Sequence, residues 1–200
     1  MKFQDYSLPL IAITGVLALL VASPALSRLL VYPRTDFFTE LAILGPNHMA
    51  EDYPFNISSG NNYDVFLEIK NKLGYCAYYL VEAKFRNQSQ PAPDSFNFTS
   101  SSLPSLFNFT AIVEDEGSWE LPLTFAINYE YENNMTLVRV SSLTLNDLTL
   151  NIVNCTVTWN SYMQGFYSNL FFELWIYNQT TATFQYHERF LSLWFNMTAY

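Results

Sequence analysis

Trp119–Tyr129 reads WELPLTFAINY, and its alternation is unbroken. Trp119, Leu121, Leu123, Phe125, Ile127 and Tyr129 fall on one phase, and Glu120, Thr124 and Asn128 on the other. A period of two is the signature of a strand with one face buried and one face wet. Pro122 lies on the outer phase. It lacks the N–H that a central ladder needs, so the strand is expected to have an edge or a bulge there.

The same reading extends in both directions. Phe38–Leu44 is a strand closed by Gly45-Pro46-Asn47, and 50–59 is a polar loop. In 63–71, Val65, Leu67 and Ile69 oppose Phe66, Glu68 and Lys70; in 75–85, Tyr79, Val81 and Ala83 oppose Glu82, Lys84 and Arg86. With only Lys72-Leu73-Gly74 between them, these two segments are expected to form a hairpin. The Ser- and Pro-rich 88–104 is a loop. Phe107–Val113 alternates with Phe107, Phe109, Ala111 and Val113 inward. Between 135 and 159 the phase slips, from Val138 and Val140 to Leu148, Leu150 and Ile152, then to Cys155, Val157 and Trp159, which predicts two or three short strands. Leu170, Phe172, Leu174 and Ile176 form a further inward row, and Leu191, Leu193, Phe195 and Met197 form the last, in a strand over 187–198. No helical period is sustained after Tyr32. Short strands separated by turn signals predict an all-β fold, an antiparallel immunoglobulin-like β-sandwich.

Ahead of it lies an apolar segment, 8–32, with no charge from Leu8 to Ser27. Twenty helical residues rise about 30 Å, the thickness of a bilayer's hydrocarbon core. Tyr6 and Tyr32 sit at its ends, where amphipathic rings favour the headgroup layer. Two readings stand: a retained transmembrane signal-anchor, and a secretory signal cut after Ala25 within Ser23-Pro24-Ala25. The apolar run continues through Leu26, Leu29, Leu30 and Val31, which favours the anchor. The expected organisation is a cytoplasmic stub at 1–7, a transmembrane helix at 8–32 and an extracellular β-sandwich at 33–200, with a strand insertion at 130–165.

Lys2 on one side and Arg28 and Arg34 on the other orient the segment weakly. The N-x-S/T acceptors orient it better. They occur at Asn56, Asn87, Asn97, Asn108, Asn134, Asn154, Asn178 and Asn196, eight in all and every one C-terminal to the apolar segment. Chance gives about two or three in so Asn-rich a chain. N-glycans are added outside the cytoplasm, so the expected topology is single-pass in the cell membrane, with the N-terminus cytoplasmic and the C-terminal domain extracellular. Cys76 and Cys155 are compatible with one disulfide in that oxidising space, against the alternative of two buried free thiols.

Charged residues are 14 % of the chain, against about 25 % in ordinary domains. The net charge is −9, with no Lys/Arg stripe to neutralise phosphates, so a nucleic-acid partner is excluded.

Three stretches carry a resemblance to a known family: Phe38-Thr39-Glu40 with Ile43-Leu44-Gly45-Pro46 and Ala50-Glu51-Asp52-Tyr53-Pro54; Gly117-Ser118-Trp119-Glu120; and Leu191-Ser192-Leu193-Trp194-Phe195-Asn196. Together they resemble domain of unknown function 1616, found mainly in archaeal membrane proteins, over about 37–198. The resemblance implies an external β-sandwich beside a membrane anchor and implies no activity. The chain departs from that pattern in having one apolar segment where members often carry several, and in the extra segment from Glu130 to Gly165.

A search for chemistry leaves little. His48 and His187 are the only histidines, and no G-x-S-x-G is present. A copper site would have to draw on His48, His187, Cys155 and Met197, and no Cys sits a few residues before a His. Glu114-Asp115-Glu116 could offer oxygens to a cation, but reads more simply as a solvated turn, as does Glu51-Asp52-Tyr53-Pro54. Phe171, Trp175, Tyr177 and Trp194 lie on outward phases. They form either an exposed partner surface or a second face buried under loops. No catalytic, cofactor or metal site is expected, and no enzyme. The expected role is contact with other membrane or envelope proteins, as an envelope component, a complex subunit or a homo-oligomer carrying N-linked glycans. The alternatives are a carbohydrate- or solute-binding module and a secreted filament subunit with a cleaved signal.

Overall fold

The computed structural model describes residues 7–29, 36–132 and 135–198, leaving aside the side chains at 7–10, 24–29 and 154. It divides into two units, Met1–Asp36 and Phe37–Tyr200. The first contains the helix α1, Ser7–Leu29, which continues through Pro24. Among the described residues no helix is long and apolar enough to cross a membrane.

The second unit is all β. Its strands are β1 (Phe38–Leu44), β2 (Asn56–Ile57), β3 (Tyr63–Lys72), β4 (Ala77–Asn87), β5 (Phe107–Val113), β6 (Ser118–Glu132), β7 (Leu137–Leu145), β8 (Leu148–Thr158), β9 (Tyr167–Asn178) and β10 (Thr183–Met197). They form two five-stranded sheets, β1-β3-β6-β7-β8 and β2-β10-β9-β4-β5. All pairings are antiparallel except β2 with β10, which is parallel. One apolar core draws on the inner faces of both sheets. Phe125 of β6 and Phe195 of β10 meet across it, ring centroids 5.2 Å apart.

Alternation places the core residues as expected along β3, β5, β6 and the end of β10. Pro122 also lies where expected. β6 pairs with β7 only from Phe125 onward, so Pro122 sits where that side of β6 has no strand. Asn146 covers the gap instead: its side chain accepts from Thr124 N–H and donates to Pro122 C=O.

Segments 63–71 and 75–85 do not form a hairpin. β3 belongs to the first sheet and pairs with β1 and β6; β4 belongs to the second and pairs with β5 and β9. Alternation cannot distinguish these outcomes, because strands on opposite sheets and strands side by side both present one apolar row to the same interior. The corner between them is built on Asn71, which is fully buried. Its carboxamide oxygen accepts from Leu73 N–H and the Tyr79 hydroxyl, and its Nδ2 donates to Tyr75 and Val113 carbonyls. Gly74, at φ +82°, completes the turn against the Phe37 ring.

The segment from 130 to 165 completes β6 and supplies β7 and β8, which continue the first sheet to its edge. The two strands expected over this region are β7 and β8, and the further phase slip within them is a bulge: their pairing jumps from Val140↔Cys155 to Ser142↔Asn151. Trp159, expected inward, follows the end of β8 and is 49 % exposed, with one edge against Phe166.

The expected Cys76–Cys155 disulfide is absent; both thiols are free. Cys76 immediately precedes β4, whereas Thr156, beside Cys155, accepts a hydrogen bond from Asn87 at the other end of β4. Eleven strand residues span about 35 Å, and a disulfide needs Cα atoms within about 7 Å. Burial pushes the Cys155 thiol up to about 11, while Cys76 is exposed. Treatment of the native protein with iodoacetamide near pH 8 should therefore label Cys76 and spare Cys155, and unfolding without reductant should expose both thiols. Peptide mapping that recovered a Cys76–Cys155 cross-link would contradict this arrangement.

Candidate functional site

The groove along the free edge of β1 is where two of the family-like stretches converge. Gly45 starts it. Its N–H donates to Met49 C=O and its own carbonyl accepts from His48 N–H, folding the chain back on itself. A Cβ here would collide with the Glu51 carbonyl, so the turn requires glycine. His48 and Asp52 take left-handed φ values of 56° and 57°. The segment 50–55 then runs back beside β1, and the Tyr53 hydroxyl donates to Ile43 C=O at 2.6 Å.

On an edge strand, alternate peptide groups point away from the sheet. Asn71 N–H bonds to Gly117 C=O, so odd positions of β3 face β6 and even positions face β1. Phe38, Glu40, Ala42 and Leu44 therefore pair with β3, and Thr39, Leu41 and Ile43 point their peptides outward. Two of these outward carbonyls are capped by side chains: Thr39 by Arg189 Nε at 3.1 Å, and Ile43 by Tyr53. Leu41, between them, turns its N–H and C=O toward the groove. The groove encloses about 500 Å³ between Leu41 and Ile43 of β1, Leu191 and Leu193 of β10, and the Tyr53 and Trp194 rings. The Arg86 guanidinium lies 4.9 Å over the Trp194 ring.

A larger depression of about 760 Å³ lies at the end of the sandwich, bordered by Tyr75, Tyr78, Ile112, Tyr177 and His187. Its one histidine is committed to a buried relay. Tyr79 O–H donates to Asn71 Oδ1, so Tyr79 accepts from Thr39 O–H, and Thr39 in turn accepts from His187 Nε2–H at 2.9 Å. Burial lowers the His187 pKa below its ordinary value. His48 is used elsewhere, stacked 4.0 Å from Phe66 and paired with Glu120. The two histidines are thus not brought together. Among the described residues no group of three or more His, Cys, Asp or Glu side chains is placed to hold a metal. In the acidic turn, Asp115 accepts from Gly74 N–H.

The acceptor asparagines are peripheral. Asn56, Asn97 and Asn108 are exposed, and Asn87, Asn178 and Asn196 are half-buried. Asn196 and Asn56 are hydrogen-bonded to each other, 3.0 Å apart. Asn134 lies outside the described residues, as does the side chain of Asn154.

Of the outward aromatics, Phe171 is fully buried and Trp175 and Tyr177 half-buried, while Trp194 stays 39 % exposed. The outer face of the second sheet is closed partly by the 88–106 segment, through a group that sequence reasoning missed. Lys84 and Glu173 lie on outward phases of β4 and β9 yet are 3 % and 0 % exposed. Lys84 Nζ is 2.7 Å from Glu173 and 3.0 Å from Glu82, and donates to Ser101 C=O. Glu173 in turn accepts from Ser101 N–H. The available signal was Glu173 standing alone among the apolar residues of Leu170–Ile176. A carboxylate there has to be paired to be buried.

Comparison with known proteins adds a family. The model of the family described as Domain of unknown function (DUF1616) matches residues 33–139. No curated protein sequence matches the chain. Among solved structures, the chain is similar to a β-glucosidase from Listeria innocua in complex with glucose, at TM-score 0.38 and 9 % identity over 84 % of this chain and 17 % of that one. It is also similar to the ASH / PapD-like domain 7 of human CEP192, at TM-score 0.36 and 10 % identity over 86 % of this chain and 93 % of that one. The chain thus spans about a sixth of the length of the β-glucosidase.

Proposed function

The chain belongs to the family of domain of unknown function 1616, and from that premise we propose a membrane-anchored, N-glycosylated cell-surface protein that works by protein–protein contact through the β1 groove. The observation that carries this reading is the groove itself. It combines an outward Leu41 peptide group, an apolar floor and two partly exposed rings, the elements of a surface that takes an extended peptide by strand addition. The arrangement of two five-stranded sheets around one core suits such a role. The anchor reading rests on α1 and on the uncharged run from Leu8 to Ser27. The glycan reading rests on eight acceptors outside that segment, with no described acceptor side chain buried. The partner in this reading is another membrane or envelope protein. A sugar-stacking role is less well supported, because Arg86 already occupies one face of Trp194.

A photo-crosslinking residue at Ser192, on the groove, should capture a partner in native membranes, while the same residue at Thr149 on β8 should not. The protein should also stay in the membrane pellet on carbonate extraction and lose several glycans' mass on deglycosylation. Equal capture at both positions would overturn the groove. A carbonate-soluble chain would overturn the anchor, and an unmodified mass would overturn the glycans.

A further inference from the structure

The two sheets have four edge strands, and they are protected unequally. β1 carries Glu40, and side chains cap its outward carbonyls at Thr39 and Ile43. β2 is only two residues long. The other two edges, β5 (FNFTAIV) and β8 (LTLNIVNCTVT), are seven and eleven residues long. Neither contains a charge or a proline, the residues that ordinarily blunt an edge. Ile112 on β5 is 71 % exposed and Val153 on β8 is 78 % exposed. Uncharged, proline-free segments of this length on an open edge match the signature of strand-to-strand aggregation.

Each of these two edges instead carries an N-x-T acceptor, Asn108-Phe109-Thr110 and Asn154-Cys155-Thr156. On β5 the odd positions pair with β4, so Asn108 turns its peptide group to the open side. On β8 the carbonyl of Thr156 likewise points off the edge, where Asn87 reaches it.

We propose that N-glycans on Asn108 and Asn154 are edge guards, whose bulk and hydration keep β5 and β8 from pairing with copies of the same chain. This rests on the glycosylated-surface reading above. It gives a function to the two acceptors that lie on the uncharged edges themselves, and of the four edges it leaves β1, at its Leu41 peptide group, to a protein partner.

The test is sedimentation velocity on the full chain in detergent, with site occupancy read by mass spectrometry. Asn108→Gln/Asn154→Gln should shift the protein from monomer to dimers and larger species, as should Thr110→Ala/Thr156→Ala, which keeps both asparagines. Asn97→Gln/Asn178→Gln, which removes two glycans away from these edges, should stay monomeric. Asn108→Lys/Asn154→Lys should also stay monomeric, because a charge replaces the lost guard. If the wild type is glycosylated at both edges and the edge variants remain monomeric, or the control associates equally, the edge-guard role is wrong while the glycoprotein reading stands. An unglycosylated wild type overturns both.

Discussion

Phe125→Ala should lower stability by about 3–5 kcal/mol, measured as a shift in the denaturant midpoint. Phe125 is 1 % exposed and packs between Tyr63 of its own sheet, at 5.7 Å, and Phe195 of the opposite sheet, at 5.2 Å. Truncation removes the ring's transfer free energy and leaves a cavity that neither sheet can close, since the strands on either side are fixed by their ladders. Thr124, one residue away, faces outward and donates to Asp64 at an exposed position. Thr124→Ala should cost at most about 1 kcal/mol. Equal losses at the two positions would mean that the phase of β6 is wrong.

Lys84→Ala should be as damaging, at about 3–5 kcal/mol, by a different mechanism. It leaves the Glu173 carboxylate fully buried, with Ser101 N–H as its remaining partner. Breaking one side of a buried pair costs more than removing both. Lys84→Met/Glu173→Leu should therefore recover most of the loss. Because Lys84 and Glu173 both hold Ser101, hydrogen exchange in 88–106 should accelerate in the single variant, well before global unfolding. An unchanged exchange rate there would mean that the pair does not fasten this segment.

The two predictions differ in how visible their residues were. Phe125 was legible because burial on one face of a strand imposes a period of two, and 119–129 keeps that period cleanly. The same logic located the core rows of β3, β5 and β10. Lys84 was read as solvent-facing because phase reports which face of a strand a residue occupies, not what lies on that face. The long 88–106 connection covers the outer side of β4 and β9, and no local pattern announces it.

The groove was half legible. Its two contributing stretches were singled out by resemblance to a family, but Glu51–Pro54 within the first of them read as a solvated turn. That Tyr53 and Arg189 cap the β1 edge and leave Leu41 between them depends on contacts across 10 and 150 positions of sequence. The disulfide failed for a related reason. Two cysteines in an expected external domain are compatible with a bond, but only the position of β8 relative to β4 sets their separation.

What the amino-acid order determined by itself is therefore local: the strands, their inward rows, the turn at Gly45, the apolar segment from Leu8 to Ser27 and the acceptor asparagines. Each is set by interactions within a few residues or by one-sided burial, and leaves a periodic trace. The tertiary structure alone decided which strands share a sheet, as when β3 and β4 part at the Asn71 corner, which strands become edges, and which outward faces are covered. Those outcomes depend on pairings between distant segments. Many such pairings are compatible with the same alternation, and the choice among them is made by packing of the whole core.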